Sequence, residues 1–380
     1  MRIIIAPDSF KGSLSSAEIC DIIEQGIREV FSEAVVIKMP VADGGEGTVE
    51  AIRAATQCEI VTETVTAPLG NKVKAGYAIL SDGTAFIEMA AASGLLLTES
   101  GKRDPLKATT YGTGELIRSA LDHGCRKIVI GLGGSATNDG GVGMAQALGY
   151  RFTDAQGLGL GFGGGELSRL KTIDASRRDR RIDECEFVAA CDVRNPLCGK
   201  TGASAVYGPQ KGASPEMVGI LDNNLMHMAR LIRETLGTDI AEKPGAGAAG
   251  GLGGGLMAFC GAKMAGGIDI LLDLLEFDQK LSDSDLVITG EGRMDFQTAF
   301  GKVPVGIARR AKRQNKPVIA FTGEIGAGAN ELYALGIDAM MSIENKPMGL
   351  EEAMGSAEAL LKDAVARAMR LIGIGKHGIL

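Results

Sequence analysis

The chain opens on an unbroken apolar run, Arg2 to Ala6, stopped by Pro7. Such a run, with no polar alternation, predicts a strand covered on both faces by helices, as in a parallel sheet. Ser15-Ser-Ala-Glu18 has the spacing of a helix-capping box. Ile19, Ile23, Ile27, Val30 and Phe31 then recur at helical spacing. A second strand is predicted over Val35 to Val41, leading through Asp43-Gly-Gly-Glu-Gly47 into a helix that carries Val49 and Ile52. The C-terminal stretch repeats the rhythm. Strands are predicted at Leu286 to Thr289, Pro317 to Thr322 and Asp338 to Ile343, with helices at Val303 to Ala311 and around Asn330 to Leu335. A last helix places Ala353, Ala357, Leu360, Ala364, Ala368 and Leu371 on one face. Two strand-helix units at the start and three at the end predict a doubly wound α/β domain of flavodoxin type.

The middle of the chain has a different texture. Val73 to Leu80 and Thr84 to Met89 flank Ser81-Asp-Gly83, a hairpin signal that belongs to a mixed or antiparallel sheet. A helix near Gly114 to Leu121, a strand over Lys127 to Leu132, a helix near Val142 to Leu148 and a strand over Glu186 to Cys191 follow. Ser214 caps a helix that starts on Pro215 and runs to about Leu236. The expected organisation is a discontinuous flavodoxin-like domain, 1–59 and 283–380, interrupted by a second α/β domain with a mixed sheet, 60–282.

Composition narrows the function. The 55 glycines among 380 residues are roughly twice ordinary usage. They are clustered and not periodic, which marks loops where backbone must approach something closely. A net charge of −7 and only 4% aromatic residues argue against nucleic acid or an anionic membrane as partner. Seven cysteines without C-x-x-C spacing read as reduced thiols of a cytoplasmic protein. The N-terminus has no signal-peptide pattern, and no apolar run reaches membrane-spanning length.

The chemistry gathers at predicted strand exits. Asp8-Ser-Phe-Lys-Gly12, Asp43-Gly-Gly-Glu-Gly47 and Gly290-Glu-Gly-Arg-Met-Asp295 each follow an apolar run, where open parallel sheets bind ligands. Gly131-Leu-Gly-Gly-Ser-Ala-Thr-Asn-Asp-Gly-Gly141 follows a strand and precedes a helix, a form suited to phosphate. The segment from Pro244 to Gly255 is a second glycine-rich candidate, although tight turns and close packing also account for both. Asp8, Asp43, Glu46, Asp139, Asp192, Glu291 and Asp295 lie in or beside these loops, and Lys11, Arg194, Lys211, Arg293 and Lys302 are the accompanying cations. Phosphoryl transfer needs this combination: a carboxylate for the attacking hydroxyl, carboxylates for Mg²⁺ and cations for the moving group. Each Asp taken alone reads as a cap or turn former. The nearest approach to a Walker A loop, Arg194 to Thr201, has Arg where the leading Gly belongs and Pro196 in the cradle, and is rejected. G-x-G-x-x-G matches at Gly159 and Gly245 do not follow clear strands. His123, His227 and His377 lie outside these motifs, so a carboxylate is the expected general base.

Taken together and in order, these motifs resemble the type-1 glycerate kinase family, the bacterial glycerate 2-kinases. Ala190-Cys-Asp-Val-Arg-Asn-Pro-Leu197, Tyr207-Gly-Pro-Gln-Lys-Gly212 and Gly247-Ala-Ala-Gly-Gly-Leu-Gly253 extend the match over nearly the whole chain. The resemblance implies ATP-dependent phosphorylation of D-glycerate to 2-phosphoglycerate, with Mg²⁺, in the cytoplasm. The residues themselves leave C2 or C3 as the acceptor open; the resemblance points to C2.

On this reading glycerate binds between the domains through Asp8, Ser9, Lys11, Arg194, Asn195 and Arg293. The catalytic set is Asp192 or Asp295 as base, with Lys11 and Arg293. ATP is expected on Gly133, Gly134, Ser135, Asn138, Asp139, Gly250, Gly251 and Lys211. Mg²⁺ is expected on Asp43, Glu46 and Asp295, with Asp8 a further candidate. Which acid is base and which holds metal stays open. Two rival readings are an NAD-dependent hydroxy-acid dehydrogenase, leaning on the Gly159 or Gly245 match, and a non-catalytic two-lobed sugar-acid sensor.

Overall fold

The opening apolar run is a central strand, with Ile3, Ile4 and Ile5 fully enclosed. The computed structural model describes residues 1–42, 44, 45 and 47–375. In chain order its strands are β1 (Arg2–Ile5), β2 (Val35–Lys38), β3 (Cys58–Thr66), β4 (Lys72–Leu80), β5 (Thr84–Glu88), β6 (Lys127–Gly131), β7 (Arg151–Thr153), β8 (Thr172–Asp174), β9 (Glu186–Ala190), β10 (Lys263–Ala265), β11 (Leu286–Met294), β12 (Val318–Ile325) and β13 (Ala339–Ser342). The chain forms two compact units. Unit 1 comprises Met1–Asp43, Glu50–Thr56 and Gly267–Leu380; unit 2 comprises Gly44–Val49 and Gln57–Gly266.

Unit 1 is a five-stranded parallel sheet in the order β13-β12-β11-β1-β2. Counted within the unit this is 2-1-3-4-5, the flavodoxin order, and its topological switch lies between β1 and β11. Ser15 closes the capping box with Glu18 and starts the helix Ser16–Arg28, which buries Ile19, Ile23 and Ile27. That face packs with Leu360, Leu361, Ala364 and Val365 of the helix Ala357–Ile374. Gly26 permits the contact, since a Cβ there would sit 2.8 Å from the Lys362 carbonyl. The single last helix expected from the sequence is two helices, Leu350–Gly355 and Ala357–Ile374, and Leu371 faces solvent.

Unit 2 holds a six-stranded mixed sheet, β10-β9-β6-β5-β4-β3, in which β5, β6, β9 and β10 run parallel and β3, β4 and β5 antiparallel. The hairpin read at Ser81-Asp-Gly83 joins β4 to β5. Gly83 takes φ +81°, and the Asp82 carboxylate accepts the Thr84 N–H at 2.9 Å. The edge strands β3 and β10 and the antiparallel pair β7–β8 were not foreseen.

Unit 1 resumes at Gly267, ahead of the boundary at 283 expected from the sequence. Arg310 explains the difference. It is 7% exposed, on the helix Val303–Arg313, and reaches Asp273 at 2.6 Å, Asp278 at 3.0 Å and the Asp269 carbonyl at 2.9 Å. The helices Gly267–Leu274 and Phe277–Ser282 are thereby tied to unit 1. Among the described residues no helix is long and apolar enough to cross a membrane.

Candidate active site

At the switch point of unit 1 the chain leaving β1 runs beside β11. The Asp8 N–H donates to the Gly290 carbonyl at 2.8 Å, and the Thr289 hydroxyl donates to the Ala6 carbonyl at 2.8 Å. Two of the motifs singled out in the sequence therefore share one site. Asp8 is buried and its carboxylate accepts the Ser9 N–H at 2.7 Å. Lys11 is exposed. A cavity of about 560 Å³ is lined here by Asp8, Ser9, Lys11, Glu291, Arg293 and Lys302 among others.

Glu291 is buried in this site and held from two sides. It accepts the Thr298 hydroxyl at 2.5 Å and pairs with Lys302 at 3.3 Å. Burial pushes its carboxyl above the usual range, and the Thr298 hydrogen bond, Lys302 and Lys11 offset part of that push. Arg293 is exposed and braced by two carboxylates, Asp295 at 3.2 Å and Glu324 at 3.5 Å. Asp295 in turn accepts the Gln297 N–H at 2.8 Å. Asp295 is itself buried, at 8% exposure.

Unit 2 carries two of the other motifs at the ends of its parallel strands. Gly131 of β6 is in register with Ala190 of β9, and the Leu132 N–H donates to the Ala190 carbonyl at 3.2 Å. The loop carrying Gly133 and Gly134 and the loop carrying Asp192, Arg194 and Asn195 therefore leave neighbouring strands. Asp192 and Arg194 are exposed. Asn195 is engaged within its own loop, donating to the Thr201 carbonyl at 2.8 Å and accepting the Tyr207 hydroxyl at 2.8 Å. Gly44 and Gly45 back the β6 exit: a Cβ on Gly131 would lie 2.1 Å from the Gly44 carbonyl oxygen, and one on Gly133 2.7 Å from the Gly45 Cα. Asp43 and Glu46 lie outside the described residues.

The two glycine-rich stretches of unit 2 interlock. The Gly140 N–H donates to the Gly250 carbonyl at 3.1 Å. A Cβ on Gly250 would fall 1.8 Å from the Thr137 carbonyl oxygen, and one on Gly251 2.9 Å from the Gly140 Cα. Packing of backbone on backbone thus accounts for Gly250 and Gly251, whereas Gly134 is exposed at the loop tip and Gly133 partly so. Asp139 organises the same loop. Its carboxylate accepts the Thr110 N–H at 2.8 Å, the Thr110 hydroxyl at 2.9 Å and the N–H groups of Gly141 and Gly143. Burial raises its pKa and those donors pull it back. Asn138 is fully buried and donates to the Ser204 hydroxyl at 2.9 Å. Lys211 is enclosed, donating to the Ser135 hydroxyl at 2.6 Å and the Thr137 carbonyl at 2.8 Å, and burial pushes it down to about 7.

The glycerate kinase family model matches residues 3–373. The chain belongs to the glycerate kinase family. As a member of that family it is an enzyme, a phosphotransferase. It is 52% identical to the glycerate 2-kinase of Escherichia coli K12 over 98% of this chain and 97% of that one. It is 51% identical to the glycerate kinase of Bacillus subtilis 168 over 94% of each. A crystal structure described as glycerate kinase 2 from Salmonella typhimurium LT2 matches with a TM-score of 0.90 and 51% identity, covering 99% of both chains.

Within this kinase framework the dinucleotide readings lose their footing. The Gly159 match lies between β7 and β8, which pair antiparallel, and no strand immediately precedes Gly245. Neither has the strand-turn-helix setting that such a fingerprint needs. For Mg²⁺, the donor chemistry of unit 1 fits: Asp8 and Glu291 bring hard carboxylate oxygens to one cavity, and Mg²⁺ in kinase sites is held by one or two carboxylates plus phosphate. Among the described residues no group of three His, Cys, Asp or Glu is arranged to hold a metal. The sequence reading missed Thr298, Thr110 and Tyr207, which hold Glu291, Asp139 and Asn195. Only Tyr207 carried a signal, inside the Tyr207–Gly212 motif.

Proposed function

We propose that the protein transfers the terminal phosphoryl group of ATP to the 2-hydroxyl of D-glycerate, giving 2-phosphoglycerate and ADP. The observation that carries this reading is the switch-point cavity of unit 1, where Lys11, Arg293 and Lys302 stand with Asp8 and Glu291 in a chain of this family. Both reactants are anions, and a cation-bearing, partly enclosed site at a strand switch suits them.

Asp192 is the proposed general base, with Asp295 as the alternative. Asp192 is exposed at a strand exit, one strand from the Gly133-Gly134 tip whose N–H groups can meet anionic oxygens. The described histidines are engaged elsewhere, His123 Nδ1 with the Ser119 carbonyl at 2.8 Å and His227 Nε2 with the Leu170 carbonyl at 2.7 Å. The acceptor hydroxyl loses its proton to the carboxylate as its oxygen bonds to phosphorus, and the bond from phosphorus to the ADP oxygen breaks. Lys11, Arg194, Arg293 and Lys302 offset the charge of the carboxylate and phosphate oxygens. Mg²⁺, held by Asp8 and Glu291 with a further carboxylate from Asp43, Glu46 or Asp295, would supply further charge neutralisation.

³¹P NMR of the products from D-glycerate and Mg-ATP tests the reaction and its regiochemistry together. The expected spectrum shows ADP and the 2-phosphomonoester. Absence of ADP, or a product phosphorylated at C3, overturns the proposal.

A further inference from the structure

The cavity in unit 1 is out of scale with a three-carbon hydroxy acid. Its volume of about 560 Å³ lies in the range that encloses ligands of drug or cofactor size. Its lining is also of two kinds. Lys11, Arg293 and Lys302 stand in it among the carboxylates of Asp8, Glu291, Glu324 and Glu344, but Leu350, Ala353 and Met354 contribute an apolar wall for which glycerate has no matching surface.

That wall is not part of the core. It comes from the short helix Leu350–Gly355, which buries none of its side chains. Leu350 is 74% exposed and Met354 36%. Adjacent exposed Leu and Met at the edge of a charged cavity signal a ligand that covers them, and the polarizable Met thioether suits the face or edge of an aromatic ring. A ligand with a flat apolar part and a polyphosphate part that carries Mg²⁺ satisfies both kinds of lining. The cavity also sits at the strand switch, where sheets of this order bind their nucleotides.

We propose that this cavity is the nucleotide site: the purine packs on Leu350, Ala353 and Met354, and the polyphosphate meets Lys11, Arg293 and Lys302. The proposal rests on the ATP-dependent reading above and deepens it. It moves the nucleotide from the Gly131–Gly141 stretch to unit 1, because packing accounts for many of the glycines in that stretch and in its partner loop. The loops after β6 and β9, with Gly133, Gly134 and Asp192, are left to the acceptor.

The test is calorimetric binding of Mg-ATP and of Mg-tripolyphosphate, which has the phosphates and no base. It uses the full-length protein and the double variant Leu350→Ser/Met354→Ser. Both positions are exposed, so the variant retains its fold, and thermal melting confirms that. The wild type is expected to bind ATP more tightly than tripolyphosphate. The variant is expected to lose about tenfold in ATP affinity, with tripolyphosphate changed by less than about twofold. A third variant, Ala353→Phe, blocks the wall by bulk and is expected to act in the same direction. An unchanged ATP affinity, or an equal loss for both ligands, overturns the proposal, as does a wild type that binds no ATP. Selective loss of ATP affinity in a protein that leaves glycerate unphosphorylated upholds the nucleotide site and removes only the acceptor assignment.

Discussion

The Nζ of Lys211 lies 2.6 Å from the Oγ of Ser135, with the lysine side chain enclosed in unit 2. Burial lowers the pKa of this amine from the ordinary 10.5 to about 7. Between those values the unfolded chain binds a proton that the native state does not, so the unfolding free energy rises with pH. The wild type is expected to gain stability relative to Lys211→Met by up to about 1.4 kcal/mol per pH unit across this window. Urea unfolding of both proteins from pH 7 to 10 measures the difference, and a flat difference would show that Lys211 titrates as an ordinary lysine.

Gly250 and Gly199 both adopt positive φ, +68° and +90°, but only the first is crowded. An added Cβ at Gly250 meets the Thr137 carbonyl at 1.8 Å, while at Gly199 nothing lies within 4 Å. Gly199→Ala should cost about 1 kcal/mol, the ordinary cost of the left-handed backbone. Gly250→Ala should cost about 3 kcal/mol or more, because two loop backbones must separate. Similar midpoints for the two variants in urea would contradict the interlocking of the loops.

Burial raises the pKa of Glu291. Here the native state binds more protons than the unfolded chain between pH 4.5 and the raised value, so stability falls as pH climbs through that window. Glu291→Gln removes the buried charge. It is expected to raise the unfolding midpoint at pH 7 and to lose that advantage on acidification, while kcat drops because Lys302 loses its partner. A variant less stable than wild type at both pH 7 and pH 4 would refute this account.

Asp192→Asn keeps the shape of the side chain and removes its basicity. As general base Asp192 should account for about a hundredfold to ten-thousandfold in kcat. Steady-state ADP release should show that loss with KM for ATP little changed. A kcat within a factor of about three of wild type would transfer the role to Asp295.

Much of unit 1 was legible because its strands are continuous apolar runs and its helices carry caps. Ile3 to Ile5, the Ser15–Glu18 box and the apolar run from Leu286 led directly to the observed sheet order. Unit 2 was harder. β3 is an edge strand, with Glu59, Ile60, Thr62 and Thr64 exposed, so its alternation is blurred. β7, β8 and β10 span three residues each, too short for any period.

The charged half of the unit 1 cavity was visible as Asp8, Lys11, Glu291, Arg293 and Lys302. Its apolar half was not, because Ala353 falls in phase with Ala357 and Leu360 and reads as the start of one long helix. Asp139 and Lys211 show the limit of motif reading: a loop sequence reports which charges are present, and only the fold shows whether they face a ligand or, as here, the backbone of neighbouring loop residues.

The pairing of β1 with β11 has a consequence for biosynthesis. Ile3 meets Leu286, so β1 is made before unit 2 and gains its β11 neighbour only after the whole of unit 2 has been synthesised. During translation unit 2 can finish its own sheet while three successive isoleucines wait without that neighbour. Chains arrested before residue 286 should therefore expose that strand to proteases and chaperones while the Gln57–Gly266 segment already resists digestion.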